Sequence, residues 1–182
     1  MKTRDPDPRR LDLADWVATR SELRGEIPLT DLPRLADSVR SARSDGRPLV
    51  TWQVRGRVER EGGATTQRWL HLQAAVPVEL TCQRCLQPVT VELKVDNEFR
   101  LARDEAEAER LDATIEADVL ATDQAIDLQA LVEDELLLAL PLVPRHDDCR
   151  PPGAAGDDAP GQETDTHRPF AALAQWQRRK TS

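Results

Sequence analysis

Hydrophobic and polar residues alternate along three stretches of the chain, residues 50–59, 70–82 and 89–101. Alternation with a period of two predicts strands that bury one face and leave the other polar. Because short connections join the three stretches, we predict an antiparallel meander. Pro77 lies inside the second stretch and indicates an edge position or a bulge, since proline cannot donate to a strand ladder.

A helical period appears on both sides of these strands. Apolar residues recur at helical spacing over Leu128–Leu140, with Asp127 as the predicted N-cap. The same spacing over Asp31–Ala42, with Thr30 as the predicted N-cap, indicates a second helix nearer the N-terminus. Shorter elements are also predicted: a strand over Ser21–Ile27, an exposed loop or short helix over Asp104–Asp112, and a strand over Thr114–Leu120.

These elements predict an α+β fold, in which an antiparallel β-meander sheet packs against a C-terminal helix, with an N-terminal helix and a flexible C-terminal tail. We expect a disordered N-terminus over residues 1–10 and a single α+β domain over residues 11–149. A stretch rich in Pro, Gly, Ala and Asp predicts a flexible linker over residues 150–167. Residues 168–182 form a short C-terminal motif with a basic end.

The overall charge restricts the classes of partner. The 182 residues include 25 Lys and Arg against 33 Asp and Glu, a formal net charge of -8, which argues against coating nucleic acid by bulk charge. Any RNA contact must therefore be local. No apolar run approaches the roughly 20 residues that span a bilayer, so we expect no membrane association. Three cysteines without a secretory signal predict a cytoplasmic protein with reduced thiols.

The cysteines form the strongest chemical signal in the chain. Cys82 and Cys85 end the second predicted strand, and His146 and Cys149 follow the C-terminal helix. Two thiolates with two residues between them can hold one tetrahedral ion, and a distant histidine and cysteine can complete its coordination. We therefore predict a structural zinc site that joins the strand to the segment after the helix. A redox pair or buried thiols remain alternatives for the cysteines, and solvated loop residues remain an alternative for His146 and Cys149.

Candidate RNA or partner contacts lie on the polar side of the predicted sheet and on the CxxC loop. Arg55, Arg57 and Arg84 supply positive charge, and Trp69 is off the inward register of its strand. Single-stranded RNA is read by exposed aromatic rings and arginine planes, so these residues are candidates for that contact. An ordinary solvated sheet face explains the same pattern, and a docked protein is as plausible a partner as RNA.

Catalysis has little support in the sequence. Gly62 and Gly63 form an isolated turn rather than a phosphate-binding loop, and no nucleophile lies in a recognisable signature with a histidine. A metal ion held by four protein ligands has no open position for a catalytic water. We expect neither an enzyme nor a small-molecule substrate.

Several segments together resemble the YceD family, the large ribosomal RNA subunit accumulation proteins of bacteria and plant plastids. The resemblance lies in the following segments, in the order of the family: Val78–Cys85, Ile126–Leu136, Ala139–Pro141, Pro144–Asp147 and Pro169–Leu173. It implies a non-enzymatic ribosome biogenesis factor for the processing or accumulation of large-subunit (23S) ribosomal RNA. It also implies metal binding by Cys82 and Cys85, and a pre-ribosomal large-subunit RNA or particle as partner, reached directly or through a ribosomal protein. The alternatives are a zinc-stapled adaptor that binds proteins and a thiol redox protein.

Overall fold

The computed structural model describes residues 7–19, 21–40, 48–61 and 65–152. The chain divides into two units, residues 1–149 and residues 150–182, and the strands and helices of the described residues lie in the first. The strands are β1 (Glu22–Pro28), β2 (Leu49–Glu61), β3 (Thr65–Thr81), β4 (Pro88–Ala102) and β5 (Asp118–Ala121). The helices are α1 (Leu13–Ala18), α2 (Pro33–Ser38), α3 (Glu105–Asp112) and α4 (Leu128–Leu138).

The strands form one sheet in the order β1-β2-β3-β4-β5. Strands β1 to β4 pair antiparallel with their neighbours in sequence, so the predicted meander is confirmed. Strand β5 is the exception, because it follows α3 and pairs parallel with β4. The α+β class is therefore confirmed, with a sheet that is mostly but not entirely antiparallel.

One face of this sheet is buried by helices. Alternate residues of β2, β3 and β4, from Val50 through Leu72 to Phe99, form a single core with the apolar sides of α1, α2 and α4. Helix α1 approaches the sheet closely at Gly56, where an added Cβ would come within 2.9 Å of the Cα of Val17. The absence of a side chain at Gly56 is thus what admits α1 to its position. The opposite face carries the polar half of the alternation.

Pro77 occupies a position where only one side of β3 is paired with a strand. Its register partner is Glu92 on β4, whereas the pairing of β3 with β2 ends at Ala75. Beyond that point the backbone of β3 receives a hydrogen bond from Arg40, whose N–H donates to the carbonyl of Glu79. The missing N–H of Pro77 therefore removes no hydrogen bond from the sheet. Although β3 is a central strand, this part of it is an edge, as predicted.

The N-terminal helix prediction was wrong at its start. A 3₁₀ turn occupies Leu29–Asp31, and α2 begins at Pro33 with Leu32 rather than Thr30 as its N-cap. Leu29 and Leu32 are both buried, so the chain turns sharply here to place both side chains in the core. Proline suits the first helical position because its missing N–H would have no partner there. The predicted extension to Ala42 was also wrong, because α2 ends at Ser38 and Val39 is extended, which brings the N–H of Arg40 to the carbonyl of Glu79 on β3. Residues 41 and 42 lie outside the described residues.

The start of α2 is capped by a side chain from α4. Leu32 has no side-chain acceptor, so the first N–H groups of α2 need another partner. Glu133 provides it: one carboxylate oxygen accepts from the backbone N–H of Arg34 at 2.7 Å and of Leu35 at 3.1 Å. The other oxygen accepts from the guanidinium of Arg34 at 3.0 and 2.8 Å. Glu133 is only 5% exposed, so this link joins α2 to α4 inside the structure.

A second polar contact joins α4 to β4 and β5. Asn97 of β4 donates through its side-chain amide to Asp118 of β5 at 2.8 Å and to Glu135 of α4 at 3.1 Å. Burial raises the pKa of Glu135 above its ordinary value, although the hydrogen bond from Asn97 lowers it. Because the folded-state pKa is raised, the stability that this carboxyl contributes when protonated is lost as pH rises through that pKa.

The ends of the domain bear on the predicted boundaries. Residues 7–10 of the segment expected to be disordered form a turn, and Pro8 accepts a hydrogen bond through its carbonyl from the N–H of Leu128 at the start of α4. Residues 1–6, most of the predicted linker and the predicted C-terminal motif lie outside the described residues. Within the described part, no helix is both long and apolar enough to span a membrane.

Candidate metal centre

The loop between β3 and β4 forms the first half of the candidate site. It is closed by two backbone hydrogen bonds at 2.9 Å, from the N–H of Cys82 to the carbonyl of Gln87 and from the N–H of Leu86 to the carbonyl of Cys82. Leu86 has a φ of 61°, the left-handed conformation that lets the chain reverse within so few residues. This tight turn places Cys82 and Cys85 on the same side of the loop. Cys82 is fully buried, and Cys85 is half-buried.

The second half comes from the segment that follows α4. The backbone N–H of Gln83 donates to the carbonyl of Pro144 at 2.8 Å, which fixes this segment against the β3–β4 loop. Pro141 and Pro144 prevent the helix from continuing into it. His146 and Cys149 then reach the two cysteines of the loop.

The four side chains are spaced as ligands of one ion. Their ligand atoms all lie within 4.8 Å of one another. The Sγ atoms of Cys82 and Cys149 are 3.7 Å apart, and Cys85 Sγ is 3.4 Å from His146 Nδ1. Tetrahedral zinc with ordinary bond lengths requires about 3.8 Å between two sulfurs and about 3.5 Å between sulfur and nitrogen. The residues therefore fit a single tetrahedral metal ion.

The histidine is oriented by a backbone carbonyl. His146 Nε2 is 2.9 Å from the carbonyl oxygen of Pro88, which can only accept a hydrogen bond. Nε2 therefore carries the hydrogen, and the lone pair of Nδ1 faces the sulfurs. Metal-binding histidines use this arrangement to fix their tautomer and ring orientation. Pro88 is the first residue of β4, so the sheet itself sets the direction of the imidazole.

The backbone around Cys82 favours its thiolate form. Burial by itself raises the pKa of Cys82, but hydrogen bonds from the backbone N–H groups of Cys85, His146 and Arg84 together lower it to about 5. Burial raises the pKa of Cys149, and its contacts with Cys82 and Cys85 raise it further. Three sulfurs this close repel one another as thiolates, and a bound cation is the group that would relieve that repulsion.

The candidate RNA contacts do not form one surface. Arg55, Arg57 and Trp69 lie together on the polar face of β2 and β3, because Arg57 is opposite Trp69 in the register. Arg84 lies on the β3–β4 loop, roughly 40 Å along β3 from Trp69 at about 3.3 Å per residue. The sequence places these residues on the polar side of the sheet and on the CxxC loop, and in the structure these two places lie at opposite ends of β3.

Each of the candidates at the Trp69 end has partners within the protein. Arg55 pairs with Glu22 at 3.1 Å, and Arg57 pairs with Glu59 and with Glu98. The guanidinium carbons of Arg57 and Arg100 lie 5.5 and 5.6 Å from the centre of the Trp69 ring. Trp69 is half-buried rather than exposed. The positive charge of this face is thus largely balanced by carboxylates on the same face.

Arg84 has a partner of a different kind. Its guanidinium donates through Nη1 to the backbone carbonyl oxygen of Cys149 at 3.1 Å. No sequence pattern indicates this contact, because the two residues are 65 positions apart. The carbonyl groups of Pro88, which orients His146, and of Pro144, which binds Gln83, could not be predicted from the sequence either. Every residue has a backbone carbonyl, so no residue type marks the ones that are used.

The fold and the site define a small α+β protein with a Cys3His cluster, of the kind that can hold a metal ion at the end of a sheet. The family model for the large ribosomal RNA subunit accumulation protein YceD matches residues 70–176, which include all four residues of the cluster. The chain therefore belongs to the YceD family, as the sequence segments indicated.

A relative supports the same assignment. The large ribosomal RNA subunit accumulation protein YceD of Haemophilus influenzae strain Rd is 31% identical over 140 residues, which cover 76% of this chain and 69% of the relative. No solved structure gives a significant match to the chain.

Proposed function

We propose that this protein is a non-enzymatic factor required for the processing or accumulation of large-subunit (23S) ribosomal RNA. The observation that carries the proposal is the family match over residues 70–176, whose description names accumulation of the large ribosomal RNA subunit. The Haemophilus influenzae relative carries the same description in its name. The match covers β3 from Leu70 onward, β4, α4 and the four residues of the Cys3His cluster, so the proposed role and the candidate metal site concern the same part of the chain.

We propose zinc as the metal of the site, in a structural role. Three thiolates and one imidazole are soft to borderline ligands, which suit zinc better than magnesium or calcium. Cys82, Cys85, His146 and Cys149 would occupy all four tetrahedral positions and leave none for a water or a substrate. The ion would tie the end of β3 to the segment after α4, across the 67 residues that separate Cys82 from Cys149.

The partner we propose is the pre-ribosomal large-subunit RNA or particle, in the cytoplasm where ribosomes assemble. The net charge of -8 disfavours broad contact with phosphates, so a local contact or a basic ribosomal protein would mediate the association. Arg55, Arg57, Trp69 and Arg84 remain the candidates for such a contact. A zinc-stapled protein adaptor remains the competing function, and a thiol redox protein is a weaker one.

A deletion strain tests the proposed role. We expect the ratio of 23S to 16S ribosomal RNA to fall and large-subunit particles to be depleted in sucrose gradients. Wild-type protein should restore both, and a Cys82→Ser variant should restore them poorly because its domain lacks the metal. The matched control is His71→Gln, which changes the other described histidine, on β3 and outside the cluster. An unchanged 23S to 16S ratio in the deletion strain would remove the ribosomal role and leave the adaptor.

A further inference from the structure

We infer that Arg84 is a positioning residue of the metal centre, which holds Cys149 in place as the fourth ligand. The inference rests on the metal site proposed above and assigns a role to a residue otherwise suspected of contacting RNA. Arg84 lies between Cys82 and Cys85, and its guanidinium donates to the carbonyl oxygen of Cys149 at 3.1 Å. The side chain therefore links the two halves of the site directly.

Cys149 is the ligand with the least support from regular structure. Cys82 directly follows a long strand, and Cys85 lies in a loop closed by backbone hydrogen bonds. His146 is held through its ring by the carbonyl of Pro88 and lies two residues after Pro144, which is itself bonded to Gln83. Within the residues that the structure describes, the backbone of Cys149 has no other hydrogen bond than the one from Arg84.

The chemistry of arginine suits this task. A guanidinium is planar and always charged, and it directs several N–H donors at fixed angles, so one of them can be committed to a carbonyl. Arg84 belongs to the loop that carries Cys82 and Cys85, so its hydrogen bond to Cys149 joins that loop to the last ligand. Outer contacts of this kind typically change metal affinity by 10-fold to 100-fold when they are removed.

Zinc affinity of matched variants tests the inference. Arg84→Met keeps the apolar stem and removes the donors, Arg84→Lys restores one charged donor, and Arg145→Gln removes an exposed arginine next to His146. In competition with a chromophoric chelator, we expect Arg84→Met to bind zinc 10-fold to 100-fold more weakly than wild type. Arg84→Lys should recover part of the loss, and Arg145→Gln should bind like wild type.

Cobalt substitution separates positioning of Cys149 from a general loss of stability. Co²⁺ in the wild-type site should show charge-transfer absorption from three thiolates, and Arg84→Met should show that of two under saturating metal. Equal zinc affinity for Arg84→Met and Arg145→Gln would overturn the inference, as would three thiolates in the cobalt spectrum of Arg84→Met. If Arg84→Met does not fold, Arg84→Lys decides the question: weaker zinc binding than wild type supports the inference, and wild-type affinity with a three-thiolate cobalt spectrum overturns it. Wild-type protein that binds no metal refutes the proposed zinc site itself, which is a different result.

Discussion

Replacing Cys82 by serine is expected to lower the melting temperature by roughly 10 °C or more. A structural zinc site contributes folding free energy directly, and losing about 3 kcal/mol shifts the midpoint of a domain of this size by that amount. Cys82 is fully buried and its sulfur lies 3.7 Å from that of Cys149, so serine removes a central ligand. Thermal unfolding followed by circular dichroism under reducing conditions measures the change.

A chelator distinguishes loss of metal from loss of packing. Excess chelator should lower the melting temperature of the wild type towards that of Cys82→Ser and leave the variant unchanged. The control is His71→Gln, which should respond to the chelator as the wild type does, because His71 is on the polar face of β3. A wild type that keeps its melting temperature in excess chelator would show that the four residues do not stabilise the fold through a metal.

Glu133→Ala is expected to destabilise the protein by roughly 2 to 3 kcal/mol, a fall of about 5 to 10 °C in melting temperature. Alanine removes both carboxylate oxygens, so the backbone N–H groups of Arg34 and Leu35 lose their charged acceptor at a position that is 5% exposed. Because the side chain of Arg34 is 53% exposed, solvent weakens its ion pair, and the backbone N–H bonds carry most of the effect.

Asp134→Ala is the matched control for that change. Asp134 is the next residue of α4 and also pairs with Arg34, but its side chain is 52% exposed. Exposed ion pairs contribute about 0 to 1 kcal/mol, so this variant should unfold within a few degrees of wild type. Urea denaturation of the two variants side by side gives both free energies. Equal losses in the two would mean that the pairing with Arg34, and not the capping of α2, is what Glu133 supplies.

The strands and the cluster were predictable because their signals are local. Alternation with a period of two identifies the buried face of β2, β3 and β4 directly, since successive side chains point to opposite faces of a strand. Cys82 and Cys85 have a recognisable spacing, and so do His146 and Cys149. The first pair follows the predicted strand and the second pair follows the predicted helix, so both pairs come to lie at the same end of the sheet. The geometry that brings the four atoms within 4.8 Å needed only that these elements pack together.

What the sequence could not provide depends on contacts between distant residues. A glutamate beside the apolar stripe of α4 is expected to be exposed to solvent. Glu133 is instead buried, because it binds Arg34, which lies 99 residues away in the sequence. Arg84 and Cys149 are likewise distant in the sequence. The parallel pairing of β5 also left no signal, because side chains alternate in the same way in parallel and antiparallel strands. The start of α2 differs from the prediction because its cap comes from Glu133 on α4 and not from a residue just before the helix.

Metal content of the purified protein tests the central claim most directly. Protein prepared under reducing conditions without added metal should contain one zinc ion per chain by elemental analysis, and native mass spectrometry should show the same mass increment on the folded chain. Its three cysteines should react with a thiol reagent only after a chelator or a denaturant is added. A metal-free chain whose cysteines react at once in the folded state would contradict the zinc site.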